Sequence, residues 1–148
     1  MRTRILSGLL VLVLAAAVFA APPVQANHRT GPCNADRVGG ETIQHLMKRR
    51  IRCAVDTFGP VPGGADRAIC IADRESGLLP WAESSTGMYL GLYQHSAAAW
   101  PDRYRKWTDP AWDLSNDALS GRTNAIVTIR MVHEAGGWKA SGWPAEGC

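Results

Sequence analysis

The stretch Glu75-Ser76-Gly77-Leu78-Leu79-Pro80-Trp81-Ala82-Glu83-Ser84, continuing through Gly87 to Gly91-Leu92-Tyr93-Gln94, decides how this chain is read. Upstream of it, residues 66 to 76 have the composition of a short helix, with Asp66 as expected N-cap and Gly77 where helices end in the left-handed conformation. Glu75 then falls in the last turn. The unpaired carbonyls there, together with Leu78, Leu79 and Trp81, favour a carboxyl that keeps its proton and can pass it to the leaving oxygen of a glycosidic bond. The segment from Pro80 to Tyr93 is too rich in Gly, Ser and aromatics for a helix and reads as a small irregular hairpin flooring a cleft.

Outward from this stretch, Ile43, Leu46, Met47, Ile51, Ala54, Val55 and Phe58 recur at helical spacing, which predicts an amphipathic helix from Glu41 to Phe58. Lys48, Arg49 and Arg52 fall on its other face and read as solvated. The Gly- and Pro-rich residues 59 to 64 form a turn. Ser96 is the expected N-cap of a further helix containing Pro101, and a last helix is expected from Arg122 to Glu134, closed by Gly136-Gly137. The expected fold class is α+β, mostly helical.

Arg2 and Arg4 precede an apolar run from Ile5 to Ala21, and Val24-Gln25-Ala26 has the small residues of a cleavage site. Residues 1 to 26 therefore read as a secretory signal. The apolar run falls short of the ~20 residues that span a bilayer, so no membrane attachment is expected after cleavage. Residues 27 to 40 read as an irregular arm and 41 to 148 as one domain. Without Arg2 and Arg4 the formal charge falls from +3 to +1, which is not the balance of a nucleic-acid binder.

The four cysteines, at 33, 53, 70 and 148, all follow the expected cleavage site, and an even count in a small exported chain argues for two disulfides. Three pairings are open on sequence alone. Neither C-x-x-C nor H-x-x-x-H spacing occurs, so zinc is disfavoured, and no metal or cofactor is called for. His133-Glu134 does not extend to H-E-x-x-H, and Gly-x-Ser-x-Gly is absent, which removes metalloprotease and serine-hydrolase readings. His28, His45 and His133 read as ordinary surface or packing residues, and His95 as structural or a passive cleft wall.

Glu75-Ser76, Pro80, Ala82, Ser84, Gly87 and Gly91-Leu92-Tyr93-Gln94 together resemble the first motif of the soluble lytic transglycosylases, members of the lysozyme-like superfamily. The chain departs from that motif by one extra residue between Gly87 and Gly91 and by Tyr93 in place of Met. Residues 124 to 131 are similar to the family's next helix, but its closing Ala-Tyr-Asn-x-Gly segment has no counterpart. The end, Gly136 to Cys148 with Trp143-Pro144, is instead similar to that of the resuscitation-promoting factors, secreted muralytic proteins of the same superfamily.

The resemblance implies a secreted, monomeric, lysozyme-like enzyme acting on the glycan strands of peptidoglycan, at the MurNAc to GlcNAc β-1,4 bond, with Glu75 as general acid and base. It implies sugar contacts from Ser84 and Gln94; Tyr89 and Tyr93 add aromatic faces, and Trp143 is the choice for the place of the missing Tyr. It also favours Cys70 with Cys148, leaving Cys33 with Cys53. A muramidase using the same Glu is the near alternative. A non-catalytic wall-binding or signalling module is the alternative from another class.

Overall fold

Helix α1 (Ile43–Phe58) starts two residues later than expected, because Thr42 is the cap: its hydroxyl accepts the His45 N–H at 3.2 Å. Glu41 stays outside the helix and is nearly buried, taking hydrogen bonds from Val38 N at 3.1 Å and from Arg49, whose guanidinium holds the Glu41 carboxyl below its usual range. Leu46, Met47, Ile51 and Ala54 form the buried stripe. The computed structural model describes residues 31–148; the expected signal segment lies outside the described residues.

Helix α2 (Gly64–Ser76) is capped by Gly63, not Asp66. Asp66 sits inside the first turn, where its charge complements the helix dipole without capping. Gly77 ends α2 in the left-handed region, and Leu78, also at positive φ, turns into the core. Helix α3 (Trp100–Trp107) has no side-chain cap. Ser96 cannot serve as one: it lies in a strand, and the Ala97 N–H still bonds the Met88 carbonyl at 2.9 Å, so the helix waits for Pro101 in its first turn.

Helix α4 (Gly121–Ala135), capped by Ser120 and ended by left-handed Gly136, is buried without interruption from Thr123 to Ile129. It is the central element. α1 packs along it and α3 lies against it, while α2 packs on α1. Gly121 admits that approach, since a Cβ there would meet Met47 Sδ at 2.4 Å and Pro80 Cβ at 2.8 Å.

Between α2 and α3, strand β1 (Tyr89–Leu90) pairs antiparallel with β2 (His95–Ser96), in the register Tyr89↔Ser96 and Leu90↔His95, and touches Glu83 on its other side through one bridge. The hairpin expected between 80 and 93 therefore runs on to Ser96. Disulfides join Cys33 to Cys53 and Cys70 to Cys148. The molecule is thus a mostly helical α+β domain with a small sheet, and among the described residues no helix is long and apolar enough to cross a membrane.

The turn from β1 to β2 rests on Gly91. Its φ is +78°, and a Cβ there would stand 2.2 Å from the Ala118 carbonyl oxygen and 2.4 Å from Asn124 Nδ2. Gly91→Ala is expected to cost about 3 kcal/mol, from left-handed strain plus a clash with backbone that cannot yield. Urea unfolding beside the wild type measures it; a loss below ~1 kcal/mol would mean the turn relaxes.

Candidate active site

Glu75 lies one residue before the end of α2, and its neighbour fixes where it sits. The Ser76 hydroxyl reaches the Ala72 carbonyl at 3.0 Å and the Leu92 carbonyl at 2.8 Å, tying the end of α2 to the β1–β2 turn. From α4, Asn124 grips the same turn: Oδ1 accepts the Tyr93 N–H at 3.0 Å, and Nδ2 donates to Ala118 O at 2.8 Å. Sequence reading assigned neither residue a role. The available signal is an Asn set among the apolar residues of a helix, because such a group persists when buried only where its hydrogen bonds are met.

A cleft of about 380 Å³ opens beside Glu75, lined also by Tyr89, Gln94, Gly142, Trp143 and Pro144. Its far wall is the chain end. Arg74 holds that wall, donating to the Glu146 carbonyl at 3.0 Å, to the Pro144 carbonyl, and to Glu75 Oε1 at 3.3 Å. The Cys70–Cys148 bond fastens the tail one helical turn earlier on α2. Glu75 keeps 25% of its side-chain surface exposed and, among the described residues, is the only carboxylate lining the cleft.

The structure brings Glu75, Tyr89, Gln94 and Trp143 together and sets two expected contacts apart. Tyr93 is fully buried, so it is not a substrate contact: its hydroxyl donates to the Ala68 carbonyl at 2.9 Å, and burial pushes the phenol pKa above its ordinary range. Ser84 shapes the hairpin, its hydroxyl accepting Tyr89 N–H at 3.0 Å, and it is not among the residues lining the cleft. Leu78 faces the core and Trp81 is 55% exposed, and neither lines the cleft beside Glu75, where the sequence had them keep water from its carboxyl.

Gln94 has a positive φ of 50° and spends its amide nitrogen on two carbonyls, Ala82 at 3.0 Å and Gly91 at 2.9 Å. Its Oε1 is left to the cleft, so Gln94 can accept a hydrogen bond there but has no donor to offer. Trp143 is buried by its body, with Nε1 donating to the Tyr93 carbonyl at 2.8 Å. Of the six tryptophans, Trp100, Trp107 and Trp138 are core residues like Trp143, and Trp112 packs on Phe58.

His95 backs the Trp143 wall, ring centroids 5.1 Å apart. Thr128 Oγ1 gives its proton to the Asn124 carbonyl, so it accepts from His95 Nε2 at 2.8 Å, and Nδ1 must then accept from Arg103, also at 2.8 Å. Both ring nitrogens are occupied by a neutral imidazole. Burial, and secondarily the Arg103 charge, lower its pKa to about 3. The unfolded chain binds this proton near its ordinary pKa of 6.5 and the folded one does not. His95 therefore contributes stability that is full above pH 6.5 and drains as pH falls toward 3, at up to about 1.4 kcal/mol per pH unit. His95→Gln is expected to flatten the acid limb in chemical unfolding between those limits; an unchanged slope would contradict this.

Compared with known proteins, the chain matches no family model, no curated protein and no solved structure.

Proposed function

We propose that this chain is a secreted, lysozyme-like enzyme that cleaves the MurNAc to GlcNAc β-1,4 bond of peptidoglycan by transglycosylation. One observation carries the reading: among the described residues Glu75 is the single carboxylate in a cleft otherwise walled by Tyr89, Gln94, Trp143, Gly142 and Pro144. Hydrolysis in the usual manner takes two carboxylates flanking the bond, one as acid and one as nucleophile or base. Glu83, Asp102 and Glu134 do not line the Glu75 cleft; Asp102 bonds Arg105 and Glu134 bonds Lys106.

With one carboxylate the economical reaction is internal. Protonated Glu75 gives its proton to the bridging oxygen as the bond from MurNAc C1 breaks, releasing the GlcNAc hydroxyl. The resulting carboxylate then takes the proton of the MurNAc 6-hydroxyl while that oxygen bonds C1, which closes a 1,6-anhydro ring and restores the acid. No water is consumed. Intramolecular attack gains from proximity, so the protein need only position the sugar. Tyr89 supplies a half-exposed ring for a sugar face and Gln94 Oε1 an acceptor for an acetamido N–H.

A suspension of purified peptidoglycan incubated with the oxidised protein is expected to clear and release soluble muropeptides. Binding to the same material without release would instead favour a non-catalytic wall-binding module.

A further inference from the structure

We propose that a second cleft, between α3, α4 and the turn at residues 139–141, binds a carboxylate carried on a short apolar stem, with Arg103 as its anchor. This cleft, about 360 Å³, is lined by the charged Arg103, Lys106 and Glu134 and by Trp107, Met131 and Ala140, with Ala135 and Ser141 beside them. It shares no lining residue with the Glu75 cleft.

Arg103 is a half-buried cation without a balancing charge. Among the described residues its guanidinium has one hydrogen-bond partner, His95 Nδ1, which is neutral, and no carboxylate acts on it. A charge drawn from water without an opposite charge is costly, and desolvation accordingly lowers the Arg103 pKa. Nη1 serves His95, while the rest of the planar fork remains for an anion at the cleft. Lys106 adds a second cation at the rim; it is 62% exposed and shared with Glu134 at 3.2 Å, so it tunes the field without closing the site. Glu134 lines the cleft too, with its charge met by Lys106, while Trp107, Met131, Ala135 and Ala140 give apolar walls that suit a methyl-bearing stem better than a phosphate or sulfate.

Arg103 also lies over the Trp143 ring, 6.0 Å from its centroid, and Trp143 lines the Glu75 cleft. One indole thus joins the two clefts. The proposal itself is one of binding and holds or fails apart from the Glu75 assignment.

The test is an NMR titration of the full oxidised protein at constant ionic strength, following the Trp107 indole and Ala140 methyl signals. The probes are N-acetylalanine, its neutral amide, and acetate. N-acetylalanine is expected to bind saturably, the amide at least about tenfold more weakly for want of the charge, and acetate about tenfold more weakly for want of the stem. Lys106→Gln is expected to weaken binding about two- to fivefold, as an exposed rim charge does. Arg103→Gln is expected to abolish it. Because Arg103 also supports His95, Ala140→Glu, an exposed substitution that places a like charge in the cleft, is expected to abolish binding with the fold intact. Equal binding of acid and amide, non-saturating shifts, or undiminished binding in Ala140→Glu would overturn the proposal. Acetate binding as tightly as N-acetylalanine would overturn the stem's part in it.

Discussion

Glu75→Gln is expected to lower the rate of muropeptide release by a factor of about one hundred to ten thousand, the usual worth of a positioned general acid and base. Gln has the same shape, so Tyr89, Gln94 and Trp143 keep their places and substrate affinity changes little. What goes is the ability to give a proton to the glycosidic oxygen and take one from the attacking hydroxyl. Stability is expected to move by no more than about 1 kcal/mol, because the ion pair with Arg74 is partly solvated and Arg74 keeps its bonds to the tail carbonyls. Initial rates and thermal unfolding, measured side by side, separate the two. A rate within about threefold of wild type would remove Glu75 from the mechanism.

Loss of the Cys70–Cys148 bond carries the largest expected effect on stability. The bridge closes a separation of 78 residues against 20 for Cys33–Cys53, and loop-closure entropy predicts about 4.5 kcal/mol for the first and about 3.3 kcal/mol for the second. The long bridge also bears on function. Gly142, Trp143 and Pro144 belong to the tail it fastens, and without it that wall is left to noncovalent contacts, chiefly the Arg74 bonds to the tail carbonyls and the packing and indole bond of Trp143. A Cys70→Ser/Cys148→Ser protein is expected to unfold at lower urea and, where still folded, to show a raised KM with kcat less affected. Equal losses from either bridge would indicate that the tail docks as firmly without its covalent tie.

Helices α1 and α4 were legible because Leu46, Met47, Ile51 and Ala54 on the first, and Ala125, Ile126, Ile129 and Val132 on the second, stand out as apolar residues at helical spacing. Helix starts were less so. Asp66 has the right chemistry for a cap, yet the chain enters α2 through left-handed Gly63, and Ser96 was claimed by a strand pairing that only the folded sheet reveals.

Within the site, Glu75 was legible because a carboxylate before Gly77 marks a helix end. Tyr93 was not. Two buried partners far along the chain, Asn124 at its N–H and Ala68 at its hydroxyl, draw it into the core, and neither contact leaves a mark in local sequence. Gln94 was read as both donor and acceptor; the carbonyls of Ala82 and Gly91 leave it an acceptor alone. Arg74, which ties Glu75 to the chain end, was missed because its partners are backbone carbonyls some seventy residues away.

The most direct test is the mass of the products. Peptidoglycan digested by the oxidised protein, beside Glu75→Gln, is expected to yield muropeptides ending in 1,6-anhydro-MurNAc, each lighter by one water than its hydrolytic counterpart, and the variant is expected to yield none. Muropeptides with ordinary reducing ends would contradict transglycosylation and mean that water, not the MurNAc 6-hydroxyl, attacks C1.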